Sequence, residues 1–435
     1  MTRLSVVDEI FLRTHRGLGT PIALQGLWIT EREIEPSVLF ALHDRLATGL
    51  LGRRVVSPSV PGARRRWVAD TSSYPVEFTE RALNSSDVIR WADHRADDDL
   101  DPQAGPGWKL STAPRTDGGS VLSLVCSHAL ADAQSLMAAV HRAVDDATQQ
   151  LAANPDGSEP DRPDSVDALT LVSSVIGRSV VALGGLMVDA RRRRDIADYL
   201  RHSRPTPVAA VVAPSPWEPT SSIFTFDADE WDMAARAGGG TPNTLFLALV
   251  ASAVRLLLDR DRVDLSVPVD LRRRDRRPEH FYGANNIAMS EVALTESDTL
   301  ITARAKAKEA YDRPMGAPAG FPDELVQIVP DSIAARLIPA AGQRDALCSN
   351  IGPLPATVVD VVGGSVRVAA RAIHPRLTVD EAAAMRTTLS AYLSRVDGNY
   401  TLAVVETDPT RITDISVADA VGSAAEKWGL TPAAW

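Results

Sequence analysis

The stretch from Gly119 to Val140, GSVLSLVCSHALADAQSLMAAV, constrains the chain most. Val121–Cys126 is an apolar run, broken only by Ser123, and reads as a buried strand. From Asp132 the pattern changes. Leu136, Val140 and Val144 recur every four residues, which is one face of an amphipathic helix. Asp132 stands where a helix cap belongs. The fold must therefore carry a buried strand straight into a helix, with His128 held in the short connection between them.

A histidine pinned at a strand end points into whatever cleft that end lines, and its ordinary pKa suits a general base near neutral pH. The HxxxD spacing is weak evidence by itself, because His94/Asp98 and His141/Asp145 share it. His94 falls in the acidic run HRADDDLD and reads as a solvated loop. His141 and Asp145 read as an i,i+4 pair on a helix surface. Only His128 has a buried strand before it and an amphipathic helix after it. From the pattern alone a satisfied core histidine and a catalytic one both stand.

Composition sets the frame for that choice. The chain has 435 residues, 45% hydrophobic and 23% charged, as in ordinary globular proteins, and its length suits two or three domains at ~150 residues each. Lys and Arg number 46 against 56 Asp and Glu, a net charge of −10, and no long basic stripe is present. Nucleic-acid binding is therefore not expected. Two cysteines, Cys126 and Cys348, cannot build a disulfide framework or a cysteine zinc site, and no cluster signals a metal. Arg3, Asp8, Glu9 and Arg13 interrupt the N-terminus, so no signal peptide is expected. A cytoplasmic protein is the expectation, with peripheral membrane contact left open.

Two segments read as connections: the acidic, Pro-containing 154–166 and the Pro-rich 204–219. Between them Leu169, Val172, Ile176, Val180, Leu183 and Met187 form an apolar stripe at helical spacing, followed by Arg191 to Arg194. The stripe reads either as a helix packed on the protein with a solvated basic end, or as a lipid-facing helix with an arginine collar. Further on, Thr241 and Pro242 open a helix over LFLALVASAVRLLL, and Asp264–Val269 reads as a strand. Thr387–Val396 and Tyr400–Val405 read as strands of a hairpin turned by Asp397-Gly398-Asn399. Helices and strands mix through both halves, giving an α/β (α+β) class.

These segments resemble, in order, the motifs of the CoA-dependent acyltransferase superfamily, which includes chloramphenicol acetyltransferase, peptide-synthetase condensation domains, polyketide-associated acyltransferases and wax ester synthase/diacylglycerol acyltransferases. His128, Asp132, Ser135 and Leu136 resemble its HHxxxDGxS motif. LSVVDEIFL (Leu4 to Leu12) resembles an LSxxDxxFL opening, Gly240 to Leu258 a TxNDxxLA helix, VPVDLRRR (Val267 to Arg274) a PVDLR strand, Asn285-Asn286 the glycine–asparagine segment after it, and SNIGP (Ser349 to Pro353) an SNxxGP strand and loop.

The resemblance implies two chloramphenicol-acetyltransferase-like lobes forming a pseudodimer, with a tunnel between them. Residues 1–200 would form the N-terminal lobe carrying the motif, 201–219 the crossover linker and 220–435 the C-terminal lobe. It implies His128 as general base, Asp132 as an orienting residue, and Arg272 as the partner of Asp132, with Arg274 the second choice. Ser127, Ala133, Ser135, Asn286, Ser349, Asn350 and Ser390 are implied substrate-side residues, and Thr388 is a weaker candidate. No cofactor is implied as permanently bound; acyl-CoA or a phosphopantetheinyl thioester is the cosubstrate. Two positions depart from the motif. Ser127 replaces its first His, and Ala133 replaces the Gly after Asp132, adding a methyl where close backbone approach is usual.

Three readings follow. The first is an O-acyltransferase moving an acyl group from acyl-CoA to an acceptor hydroxyl. The second is a condensation-like or tailoring transferase, forming an ester or amide, whose donor arrives on an acyl or peptidyl carrier protein; Arg64 to Arg66 and Arg191 to Arg194 would be its docking patches. The third is a catalytically silent recruitment module of the same fold.

Overall fold

The computed structural model describes residues 2–17, 20–145, 162–202, 217, 220–272, 283–313, 315–316, 320–331, 344–409 and 415–435. In chain order its strands are β1 (Ala23–Thr30), β2 (Arg53–Val56), β3 (Arg66–Ala69), β4 (Glu77–Phe78), β5 (Trp108–Pro114), β6 (Ser120–Ser127), β7 (Ser221–Asp227), β8 (Val263–Asp270), β9 (Ile287–Leu294), β10 (Ala346–Pro353), β11 (Ser365–Ile373), β12 (Leu389–Val396), β13 (Asn399–Glu406) and β14 (Ala433–Ala434). They form two large sheets. One has the order β11-β1-β6-β5-β4 and the other β14-β7-β13-β12-β10-β8-β9; β2 and β3 pair separately. Each sheet carries its own apolar core, so the chain builds two lobes. This is the expected two-lobed mixed α/β architecture.

The sequence signals act locally as physics requires. β6 is buried at every residue because it lies between β1 and β5 with helix Val88–Ala96 against it. Helix Ala133–Val144 starts at Asp132, whose carboxylate accepts from the Ser135 amide. Helix Pro242–Leu258 is capped by Thr241, whose hydroxyl accepts from the Thr244 amide, and has Pro242 in its first turn. β12 and β13 form the hairpin, and Asp397 takes the left-handed conformation at its turn (φ 49°).

One strand crosses between the halves. β11, from the second half of the sequence, pairs along the full length of β1 and forms an edge of the first sheet. Most of 204–219 lies outside the described residues, as does Arg274.

Three local readings need correction. Asp164–Val166, expected within a connection, is already the first turn of helix Asp164–Val188. Asp164 is held there by the Ser59 amide and hydroxyl and by Arg3. His94 is exposed but helical, within Val88–Ala96. His141 makes a 2.6 Å hydrogen bond with Thr357 and is not the plain surface residue expected.

Candidate functional site

β1 sits between β6 and β11, with both neighbours antiparallel to it. Ala23 is level with Ser127 on one side and Ile373 on the other. The next residues, His128 and His374, therefore emerge at the same end of the sheet, two strand spacings apart, or roughly 10 Å. The His128 amide donates to the Ile22 carbonyl, which fixes the chain as it leaves β6. Both rings line a cavity of about 620 Å³. Its walls come from both lobes: Leu136, Met137 and Val140 from one, and Pro268, Ile287 and Leu347 from the other. A mostly apolar cavity with a few polar groups is the usual form of a small-molecule site.

The His128 ring is fixed on two sides. Phe11 stacks on it, with centroids 3.8 Å apart and planes 11° from parallel. Its Nδ1 lies 3.1 Å from Asn285 Oδ1. The Asn285 Nδ2 donates to Asp8 Oδ1 (3.0 Å) and to the carbonyl of His128 (3.1 Å), both acceptors, so the Asn285 oxygen must face the ring. His128 Nδ1 therefore carries the proton and donates, and Nε2 keeps its lone pair. Burial pushes the His128 pKa below 6.5, against the opposing effects of its own carbonyl, Asp132 and Asn285. Burial likewise raises the Asp8 carboxyl, while hydrogen bonds from Ser5 and Asn285 pull it down. Asp8 forms a capping box with Ser5 at the start of helix Val6–His15 and so ties that helix to the site.

Asp132 is saturated by partners. Its oxygens accept from the Ser135 amide (2.9 Å), the Asn286 amide (2.9 Å) and the Arg272 guanidinium (2.8 and 3.0 Å). Its own amide donates to the Ala284 carbonyl. Arg272 also reaches the Ser135 hydroxyl, which donates to the Gly283 carbonyl. Side-chain exposure is 7% for Arg272 and 4% for Asp132. With no lone pair left for substrate, this cluster is a clamp between the β6–helix connection of one lobe and the 283–286 loop of the other. Arg53 braces the same connection by donating to the Leu130 carbonyl.

The remaining expected residues divide. Ala133, Ser349 and Ser390 line the cavity. Ser127 is buried beside it, its hydroxyl 3.4 Å from the Ala129 amide. Asn286 takes part through its backbone. Asn350 does not line the cavity: it is exposed, donates to Asn243 and accepts from the Gly352 amide, shaping the β10 bulge. Thr388 lies behind the wall, 3.4 Å from Asp408. Asn285 was legible only as part of a motif, and Asp8 and Phe11 only within the LSVVDEIFL opening; none was expected beside His128. His374 carried no local signal. Its Nδ1 lies 3.0 Å from the Pro21 carbonyl, so Nδ1 donates and Nε2 is the nitrogen left for the cavity. Burial lowers its pKa to about 4.

No family model matches the chain, and no curated protein matches it. Solved structures do. The first condensation domain of the CDA synthetase is 15% identical, with a TM-score of 0.58 over 98% of this chain and 97% of that one. The wax ester synthase/diacylglycerol acyltransferase from Marinobacter aquaeolei VT8 is 15% identical, with a TM-score of 0.55 over 98% of both chains. Polyketide synthase associated protein 5 from Mycobacterium tuberculosis is 12% identical, with a TM-score of 0.55 over 97% of this chain and 95% of that one. With two lobes, a cavity lined by both and a histidine at the end of β6, the chain shares the fold of these three structures: a condensation domain, a wax ester synthase/diacylglycerol acyltransferase and a polyketide synthase associated protein.

Proposed function

We propose that the protein is an acyltransferase that moves an acyl group from a phosphopantetheine thioester, acyl-CoA in the first instance, to an acceptor hydroxyl. The observation that carries this reading is His128: a ring that lines a large, mostly apolar cavity, with its tautomer set by Asn285 and with Nε2 unpartnered among the described residues. In the proposed reaction the acceptor oxygen attacks the thioester carbonyl while His128 Nε2 takes its proton. The C–O bond forms, the tetrahedral intermediate collapses, the C–S bond breaks, and the proton on Nε2 passes to the departing thiolate. Asp132 and Arg272 hold the loop and exchange no proton. Ser349 and Ser390 are the hydroxyls available to polar substrate groups. The methyl of Ala133 narrows the wall beside His128. His374 Nε2 is a second acceptor, suited to hold a donor group of the acceptor substrate some distance from the reacting atom.

The alternative donor is an acyl or peptidyl carrier protein, which the likeness to condensation domains favours. Part of the basic patch expected to dock one is already engaged: Arg64 pairs with Asp167 and Arg65 with Glu9. Ser127 and Ala133 motivate the third reading, a silent recruitment module. Thiol release from acyl-CoAs of graded length, with pooled alcohols and amines, tests the proposal in wild type and His128→Ala. Acceptor-dependent release that disappears in the variant supports it. Release only from carrier-bound thioesters selects the alternative donor. No release from either, with substrate binding intact, overturns catalysis in favour of the silent module.

A further inference from the structure

Helix Asp164–Val188 turns its apolar stripe the opposite way from a packed helix. The face against the protein is narrow, made of Asp167, Ala168, Leu171, Val175 and Ala182. Leu169, Ile176, Val180, Leu183 and Met187 point outward, and Met187 is 83% exposed. Among the described residues sixteen large apolar side chains are exposed, and eight of them lie between Val166 and Val188. A continuous apolar face of that length is unusual for a surface left in water.

The helix has 25 residues, about 37 Å at 1.5 Å per residue, and a mean hydropathy of 1.8 over its most apolar stretch. Length and composition alone would let it cross a bilayer. Its attachments do not suit crossing. Asp164 is bound to Ser59 and Arg3, Asp167 to Arg64, and Arg178, in the middle, to Glu324. These ionic ties hold one side of the helix to the lobes along its length, so the free side can only lie on a surface. At its C-terminal end Arg191, Arg193 and Arg194 are exposed. Arg193 donates to the Leu186 and Met187 carbonyls, which closes the helix end.

We propose that this face docks the protein on an anionic lipid surface. The apolar stripe sinks into the boundary between headgroups and acyl chains, and the arginines pair with lipid phosphates. Charge selects this occupant. The chain as a whole is acidic (−10), so an acidic surface attracts it only at a run of arginines, and the longest unbroken run, Arg191 to Arg194, lies beside the apolar stripe. The helix is also linked to the cavity wall. Glu324, its partner, starts helix Leu325–Ile328, and Arg13 of the wall-forming helix Val6–His15 donates to the Val329 carbonyl. A docked protein would hold its cavity close to the bilayer.

The proposal is independent of the reaction assigned above, and its test measures binding directly. The full chain is sedimented with vesicles of phosphatidylcholine and phosphatidylglycerol, and with phosphatidylcholine alone. Binding is expected to the mixed vesicles, weakened by salt. It should fall about fivefold for each arginine removed in Arg191→Gln and Arg194→Gln. It should be lost in the quadruple variant Ile176→Ser, Val180→Ser, Leu183→Ser, Met187→Ser, with its circular dichroism unchanged. Equal sedimentation of wild type and both variants overturns it. So does a wild-type dimer that the quadruple variant turns into a monomer while vesicles bind neither, because the face would then be covered by a second copy of the chain. If the quadruple variant fails to fold, the arginine variants alone decide.

Discussion

At the scale of single residues the site rests on hydrogen bonds that leave no choice of donor. Asn285 can satisfy Asp8 only with its amide nitrogen, and that choice sets which nitrogen of His128 is bare. Replacing Asn285 with Ala frees the tautomer, and kcat/KM for thiol release is expected to fall about 10²-fold or more; an unchanged rate would remove Asn285 from the mechanism. The reacting form of His128 is the neutral one, and its pKa lies below 6.5. Activity in the folded enzyme should therefore rise with pH through a value below 6.5 and be level from there to pH 8, as a pH–rate profile would read. His128, His374 and His15 all have pKa values lowered by burial, so the unfolded chain binds protons more readily. Below about pH 6.5 stability should decline, and His374 continues that decline to about pH 4. Urea midpoints measured across this range that stay flat would contradict it. Removing the Asp132 carboxylate takes away the acceptor shared by Arg272 and the Ser135 and Asn286 amides, and leaves Arg272 with the more exposed Asp270 and the Ser135 hydroxyl. Asp132→Ala is expected to cost up to about 3 kcal/mol in urea unfolding, the remaining pair keeping it at or below the low end for a broken buried ion pair.

At the scale of elements, the strongest local signals were the readable ones. The change of period around His128, the Thr241-Pro242 helix start and the Asp397-Gly398-Asn399 turn each depend on neighbours within four residues. The outward face of helix Asp164–Val188 was not readable, because a helix apolar on most sides does not say which side is packed. The anchors that decide it, Arg3, Ser59, Arg64 and Glu324, are distant in sequence. The same distance hid the site's inner partners: Asp8 and Asn285 stand 277 residues apart, and His374 has no motif around it. β1 supplies an element-scale prediction. The Trp28 ring folds back over Gly26, where an added Cβ would come within 2.5 Å of it, and both residues line the cavity. Gly26→Ala must push the indole aside, for a loss of about 1–3 kcal/mol. A melting temperature equal to wild type would show that the ring moves freely.

At the scale of the whole molecule, the two lobes are joined where the chemistry is. The Asp132 clamp, the Asn285 bridge and the shared cavity wall all cross between them, so a change that loosens the lobes should reach His128 as well. The strand β11 adds a consequence in time. A ribosome releases β1 and β6 early, yet the neighbour that completes one side of β1 begins only at Ser365. Until then the growing chain carries an open strand edge with no permanent partner, the kind of edge that recruits other chains. The loop that must close is more than 330 residues long, which favours slow final assembly. Nascent chains stalled before residue 365 should therefore be more readily degraded and more dependent on chaperones than chains stalled well after residue 373, once β11 has left the ribosome and covers that side of β1.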